Sequence, residues 1–231
     1  MSLQIIFEDN HIIAVNKPAG VLVQGDETGD TPLVELVKQY IKVKYNKPGD
    51  VFLGVVHRID RPVSGAVIFA RTSKALERMN KLFAERDVKK IYWAIVRERP
   101  NPEDGTLTNY LAKDSEKNVT RVLNGPSRRH PDAKLATLDY YLKGSLLGQH
   151  ALEVHPQTGR SHQIRAQLAH IASPIRGDVK YGFPKANDDG SIDLHCYSMT
   201  FIHPVTKVET EISAMPLNTQ VWKPFTSLLL N

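Results

Sequence analysis

Asp60 stands between Arg58 and Arg61 in GVVHRIDRPVSGAVIFART, where charge interrupts two apolar runs. Val55 with Val56, and residues 66–70, are short enough to be buried strands. His57, Arg58, Asp60 and Arg61 then share a turn marked by Pro62, Ser64 and Gly65. Positive charge beside a carboxylate favours its ionised form, which suits a nucleophile or a base better than a proton donor. An Arg-x-Asp alone is equally what a surface turn with a local ion pair looks like, so other residues must decide. One group is HPQTGRSHQIRAQLAHIASPIRGDVKYG, residues 155–182. If its middle is helical, Ser161, His162 and Arg165 share one side near the helix amino terminus, an end that attracts anions. Tyr92 is a third candidate, in an apolar run where a core aromatic is the ordinary reading.

The elements that must position these groups are legible in outline. Residues 5–7 and 12–15 read as two strands around a polar turn, the second running into Asn16-Lys17-Pro18-Ala19-Gly20. There Pro and Gly suit turn geometry, and Lys17 has either a structural role or a phosphate contact. Thr31-Pro32 starts a helix whose Leu33, Leu36, Val37, Tyr40 and Ile41 share a face and which ends before Pro48. A second helix runs from a Thr72-Ser73 cap with Ala75, Leu76, Met79, Leu82 and Phe83 inward. Residues 89–96 form a strand apolar on both faces. Residues 100–134 are irregular and basic, an arm or paired loops in which Lys113, Lys117, Arg121, Arg128, Arg129 and Lys134 could meet phosphate. Thr158 or Ser161 caps the helix that carries Ile164, Leu168 and Ile171 inward.

The 231 residues are 41% hydrophobic and 24% charged, ordinary for a soluble globular chain. A formal net charge of +5 tilts towards a polyanionic partner. One cysteine, Cys196, excludes an internal disulfide and a thiolate metal cluster and points to a reducing compartment. With no leader at the amino terminus and no apolar run near the ~20 residues that span a bilayer, the expected location is cytoplasmic and no membrane is involved. Neither a phosphate-cradling Gly-rich loop nor a dinucleotide fingerprint is present.

HRIDRPVSG resembles the His-Arg-Leu-Asp-x-x-Thr-Ser-Gly signature of the RluA family of pseudouridine synthases, with Ile59 for leucine and Val63 for threonine. Residues 155–182 resemble the family's Thr-Gly-Arg-x-His-Gln-hydrophobic-Arg motif followed by Pro-Ile-x-Gly-Asp-x-x-Tyr-Gly. Weaker matches are Asn16 to Gly20, the Lys-x-Tyr-x-Ala-x-Val stretch around Tyr92, Leu194-His195 and His203-Pro204, so the resemblance spans about residues 5–215.

The resemblance implies an α+β fold, a largely antiparallel mixed sheet with flanking helices and a central cleft. It implies one catalytic domain over residues 1–231 with two subdomains, about 1–100 and 101–231, and no separate S4 domain before it. The activity implied is isomerisation of a uridine in tRNA or large-subunit rRNA, with no cofactor and no obligatory protein partner. By resemblance the catalytic residues are Asp60, as nucleophile or base at the ribose; Tyr92, stacked on the uracil and able to relay its C5 proton; and Arg165, paired with Asp60. RNA-binding candidates are Arg58, which would fill the space a flipped base leaves, together with His57, Arg160, His162 and Gln163. Two rival readings are metal-dependent hydrolysis, which the spacing of the nine histidines disfavours, and a non-catalytic RNA-binding module with the same fold.

Overall fold

The computed structural model describes residues 3–217 and 219–230, a mixed α+β chain. Contacts divide it into two compact units, residues 1–89 with 196–217, and residues 90–195 with 218–231. The chain returns to the first unit at Cys196, a step that two consecutive halves would not contain.

In the first unit, β1 (Gln4–Glu8) turns into β2 (Ile12–Lys17). The Asp9 side chain closes that turn by accepting from the His11 and Ile12 amides. Strand β2 is buried along its whole length because it lies between β1 and β4 (Ser64–Ala70). Helix α1 (Leu33–Lys44) begins after Pro32 and buries Leu33, Val37 and Ile41 of the expected stripe together with Val34, while Leu36 and Tyr40 of that stripe are only half-buried. The short β3 (Gly54–Val55) pairs with the far end of β4. Helix α2 (Ser73–Glu85) starts where its cap predicts, with the Thr72 hydroxyl accepting from the Ala75 amide at 3.1 Å.

The second unit opens with β5 (Lys89–Val96), whose last four residues are buried, as an apolar strand covered on both faces requires. Residues 100–134 are not irregular throughout. They contain β6 (Gly105–Asp114) and β7 (Val119–Leu123), an antiparallel hairpin in which strand-favouring Thr106, Thr108, Tyr110, Val119 and Val122 are interspersed with Asn109, Lys113 and Arg121, so no clean alternation marks it in the sequence. Strands β8 (Lys134–Leu146) and β9 (Gln149–Pro156) complete an antiparallel sheet in the order β5-β9-β8-β6-β7. Helix α3 (Gln163–His170) follows, then a 3-10 turn at Val179–Tyr181.

Strand β10 (Leu194–Ile202) carries the chain back, lying beside β4 and pairing with β11 (Glu209–Ser213). Gly65 lies so close to the Cys196 backbone that a methyl there would overlap the peptide. The last element, α4 (Thr219–Leu229), covers β8 and β9 and presses Leu228 against Gly144.

Candidate active-site residues

In the first unit, Asp60 lies on the loop from β3 to β4, half-buried, with its carbonyl accepting from the Val63 amide at 3.1 Å. Ile59 and Val63 on either side are 8% and 2% exposed, so two apolar anchors hold the loop while Arg58 and Arg61 face solvent. The valine that replaces the signature threonine thus occupies a dry position, where lacking a hydroxyl leaves no donor unpaired.

A second segment grips this loop. Gly20 donates its amide to the Arg61 carbonyl at 2.8 Å, and Arg61 Nε donates back to the Gly20 carbonyl at 2.9 Å. Arg61 also pairs with Asp30 at 2.6 Å. Lys17 is fully buried, and its Nζ donates to the carbonyls of Pro18, Val21 and Arg61 at 3.1, 2.7 and 3.1 Å. Burial pushes its pKa down to about 7, against the pull of the Asp60 charge in the other direction. A cation so enclosed cannot reach RNA phosphate, so of the two expected roles the structural one holds. His57 likewise serves the fold. Its Nε2 accepts the Ile68 amide at 3.0 Å, and its ring stacks on Phe83 at 4.9 Å.

The second unit carries Tyr92, Arg160, His162, Gln163 and Arg165. Tyr92 is half-buried near the start of β5, opposite Val154 of β9. Neither Thr158 nor Ser161 caps α3. The cap position is His162, in the left-handed region at φ 51° and with no side-chain cap bond. Thr158 is used elsewhere: its hydroxyl donates to Gln163 Oε1 at 2.8 Å and accepts from the Thr137 amide at 3.0 Å. Gln163 Oε1 also accepts the Arg160 amide at 3.0 Å, and its Nε2 donates to the Thr137 carbonyl. Gln163 is therefore a buried fastener between the loop and β8, while the half-exposed Arg160 reaches the Leu135 carbonyl through Nε. The helix is buried on every side from Gln163 to Leu168 rather than along one apolar stripe. Among its buried polar residues, Gln163 and Arg165 are bonded through both ends of their polar groups, and Gln167 donates through Nε2 to Asn109 and Leu107.

Arg165, 5% exposed, makes a two-point ion pair within its own unit to Asp178, Nε to Oδ2 at 2.7 Å and Nη2 to Oδ1 at 2.8 Å. Its guanidinium lies 5.0 Å from the Tyr181 ring centroid. The Tyr181 hydroxyl accepts the Thr120 amide at 2.7 Å and meets His162 Nδ1 at 2.7 Å. Burial holds the Tyr181 phenol above its ordinary pKa, so it stays a donor. Asp178 and Tyr181 are absent from the residues chosen on sequence. They lie in the matched Gly-Asp-x-x-Tyr-Gly stretch, where the signal available was an acid and an aromatic shortly after a helix carrying a lone buried arginine.

Among the described residues, no three His, Cys, Asp or Glu side chains are grouped to hold a metal ion, and no helix is long and apolar enough to cross a membrane.

The family model for RNA pseudouridylate synthase matches residues 11–170, so the chain belongs to that family, and together with the relatives below it places the chain in the RluA type. It is an isomerase acting on RNA. The tRNA pseudouridine synthase C of Vibrio parahaemolyticus is 32% identical over 93% of this chain and 90% of its own length. The ribosomal large subunit pseudouridine synthase C of Vibrio cholerae is 29% identical over 97% of this chain and 69% of its own length. The human RNA Pseudouridylate Synthase Domain Containing 4 shares the fold, with a TM-score of 0.77 at 22% identity, covering 94% of this chain and 90% of that one.

Proposed function

We propose that this chain converts one uridine of a structured tRNA or large-subunit rRNA to pseudouridine in the cytoplasm, with Asp60 as its essential carboxylate. The reaction breaks the bond from uracil N1 to the ribose, turns the freed base, joins its C5 to the same sugar carbon and removes the C5 proton. It changes no oxidation state, so it requires no external group. Asp60 attacks the sugar carbon or acts as a base on the sugar. Tyr92 stacks on the uracil and relays the C5 proton, and Arg165 takes the charge-balancing role that the resemblance gives it. The uridine must leave its stack to react, at a cost of about a few kcal/mol, and Arg58 is the residue proposed to fill the gap. Arg160 and His162 contact RNA near the start of α3.

The observation that carries this reading is the build of the Asp60 loop. A buried lysine, a reciprocal pair of hydrogen bonds between Gly20 and the backbone and side chain of Arg61, and two apolar anchors fix the backbone around one half-exposed carboxylate. A structural ion pair needs no such framing. Mapping pseudouridines in total RNA with and without the gene tests the reading, and one site that disappears with the gene identifies the target. A map unchanged at every position would oppose it.

A further inference from the structure

Arg61 follows Asp60 directly, and its guanidinium is oriented but only partly used. The Gly20 amide holds its carbonyl at 2.8 Å, its Nε donates to the Gly20 carbonyl at 2.9 Å, and its Nη2 donates to Asp30 at 2.6 Å. An arginine carries five N–H donors, and among the described residues only Nε and Nη2 of this one are engaged. The side chain is 45% exposed. We propose that Arg61 binds a backbone phosphate flanking the target uridine, and that Asp30 occupies the place of that phosphate until RNA arrives. The inference rests on the pseudouridine synthase reading above and extends it to the grip on the RNA backbone.

In that reading Asp60 acts at the ribose of the uridine, and the two flanking phosphates are joined to the same ribose through its C3′ and C5′. A long cationic side chain on the next residue has the reach to meet one of them, and a planar guanidinium matches two phosphate oxygens at once. Asp30 is a poor permanent partner. Its side chain is 53% exposed, every residue from 24 to 31 is exposed, and its other contact is a long 3.5 Å bond from the Thr28 hydroxyl. Such a pair is weak, so a phosphate can displace the carboxylate. Residues 24–31 include Asp26, Glu27 and Asp30 and no Lys or Arg, so with Arg61 still paired to it this loop repels a polyanion. The bonds to Gly20 survive the exchange, because they use Nε and the backbone rather than Nη2. Lys17 cannot take the phosphate instead, since three carbonyls enclose its Nζ.

The test pairs protein variants with single neutral linkages in the RNA. Wild type, Asp30→Asn and Arg61→Gln are each titrated with a short target stem-loop in which one phosphate at a time is replaced by an uncharged methylphosphonate. Dissociation constants across salt and tritium release from C5-labelled uridine are both read. Neutralising one phosphate beside the uridine should weaken wild-type binding about tenfold. Asp30→Asn should bind intact RNA about threefold more tightly, and that gain should vanish on the RNA lacking the same phosphate. Arg61→Gln should bind intact RNA about tenfold more weakly with a salt slope lower by about one, and should lose nothing further when that phosphate is neutralised. Because Asp30→Asn keeps Arg61 and its bonds to Gly20, the Asp30→Asn measurements decide the matter even where Arg61→Gln disturbs the loop. No gain from Asp30→Asn, a gain that persists on every neutralised RNA, or coupling confined to a phosphate that does not flank the uridine would overturn the proposal. Coupling in binding without any tritium release would leave the phosphate site standing and remove the isomerase reading, whereas turnover without coupling would do the reverse.

Discussion

Lys17 aims three donors at three carbonyls, an arrangement that only an ammonium can fill completely, yet burial pushes its pKa down to about 7. Between about pH 7 and the free value of 10.5 the unfolded chain keeps a proton that the folded chain has released, so this group's contribution makes stability rise with pH across that window. Below pH 7 both states are protonated and the contribution is flat. Urea midpoints of wild type and Lys17→Met, measured from pH 6 to 10, should therefore diverge in favour of wild type above pH 7, and a constant difference would contradict the titration. Asp178 makes a complementary case. Replacing it in Asp178→Asn leaves the Arg165 cation short of a carboxylate at a buried position, a loss of about 3 kcal/mol in chemical denaturation. Turnover should fall with it if Arg165 must be held flat to act. At this scale the sequence offers Asp60, Tyr92 and Arg165 as candidates through their motifs. It could not show that Gln163 and His57 are spent on internal hydrogen bonds, because that depends on Thr137 and Ile68, elements away in the chain.

Element by element, the parts whose signal is local were the legible ones. Helix α2 follows from its Thr72 cap and its apolar spacing, and β5 from a run too apolar to face water. The β6–β7 hairpin was missed because it satisfies its backbone through register with β8 while its side chains remain mixed. The start of α3 was misplaced because Thr158, a good capping residue by type, is drawn to Gln163 and Thr137 instead. Glycine shows the same division between local and distant causes. Gly20 and Gly65 both have positive φ, 87° and 120°, but only Gly65 abuts another strand. Gly20→Ala should cost about 1–2 kcal/mol for the backbone conformation alone. Gly65→Ala adds overlap with the Cys196 peptide and should cost about 3 kcal/mol or more, enough to reduce the soluble yield. Equal thermal midpoints for the two variants would show that the close approach of β4 and β10 is not a constraint.

For the whole molecule, net charge and domain organisation say different things. The formal charge of +5 is modest, but Lys113, Lys117, Arg128, Arg129 and Lys134 are all exposed in the second unit around the hairpin and the loop after it. If about four of the chain's cations meet phosphates, affinity for the target RNA should fall roughly 50-fold between 50 and 200 mM salt, which a binding titration over salt would read. Affinity independent of salt would be incompatible with a substrate held by its backbone. The split into units was not legible, since the return of residues 196–217 to the first unit depends on β10 pairing with β11 and lying beside β4. The family resemblance nevertheless reached nearly the full chain, because its motifs are spread from β2 through the Asp60 loop, β5 and α3 to β10. The central claim is that one carboxylate does the chemistry, and tritium release from C5-labelled uridine in the target RNA tests it most directly. The account predicts that wild type releases tritium, while Asp60→Asn binds the same RNA with unchanged affinity and releases it at least about 10⁴-fold more slowly. Release by the asparagine variant at the wild-type rate would contradict it.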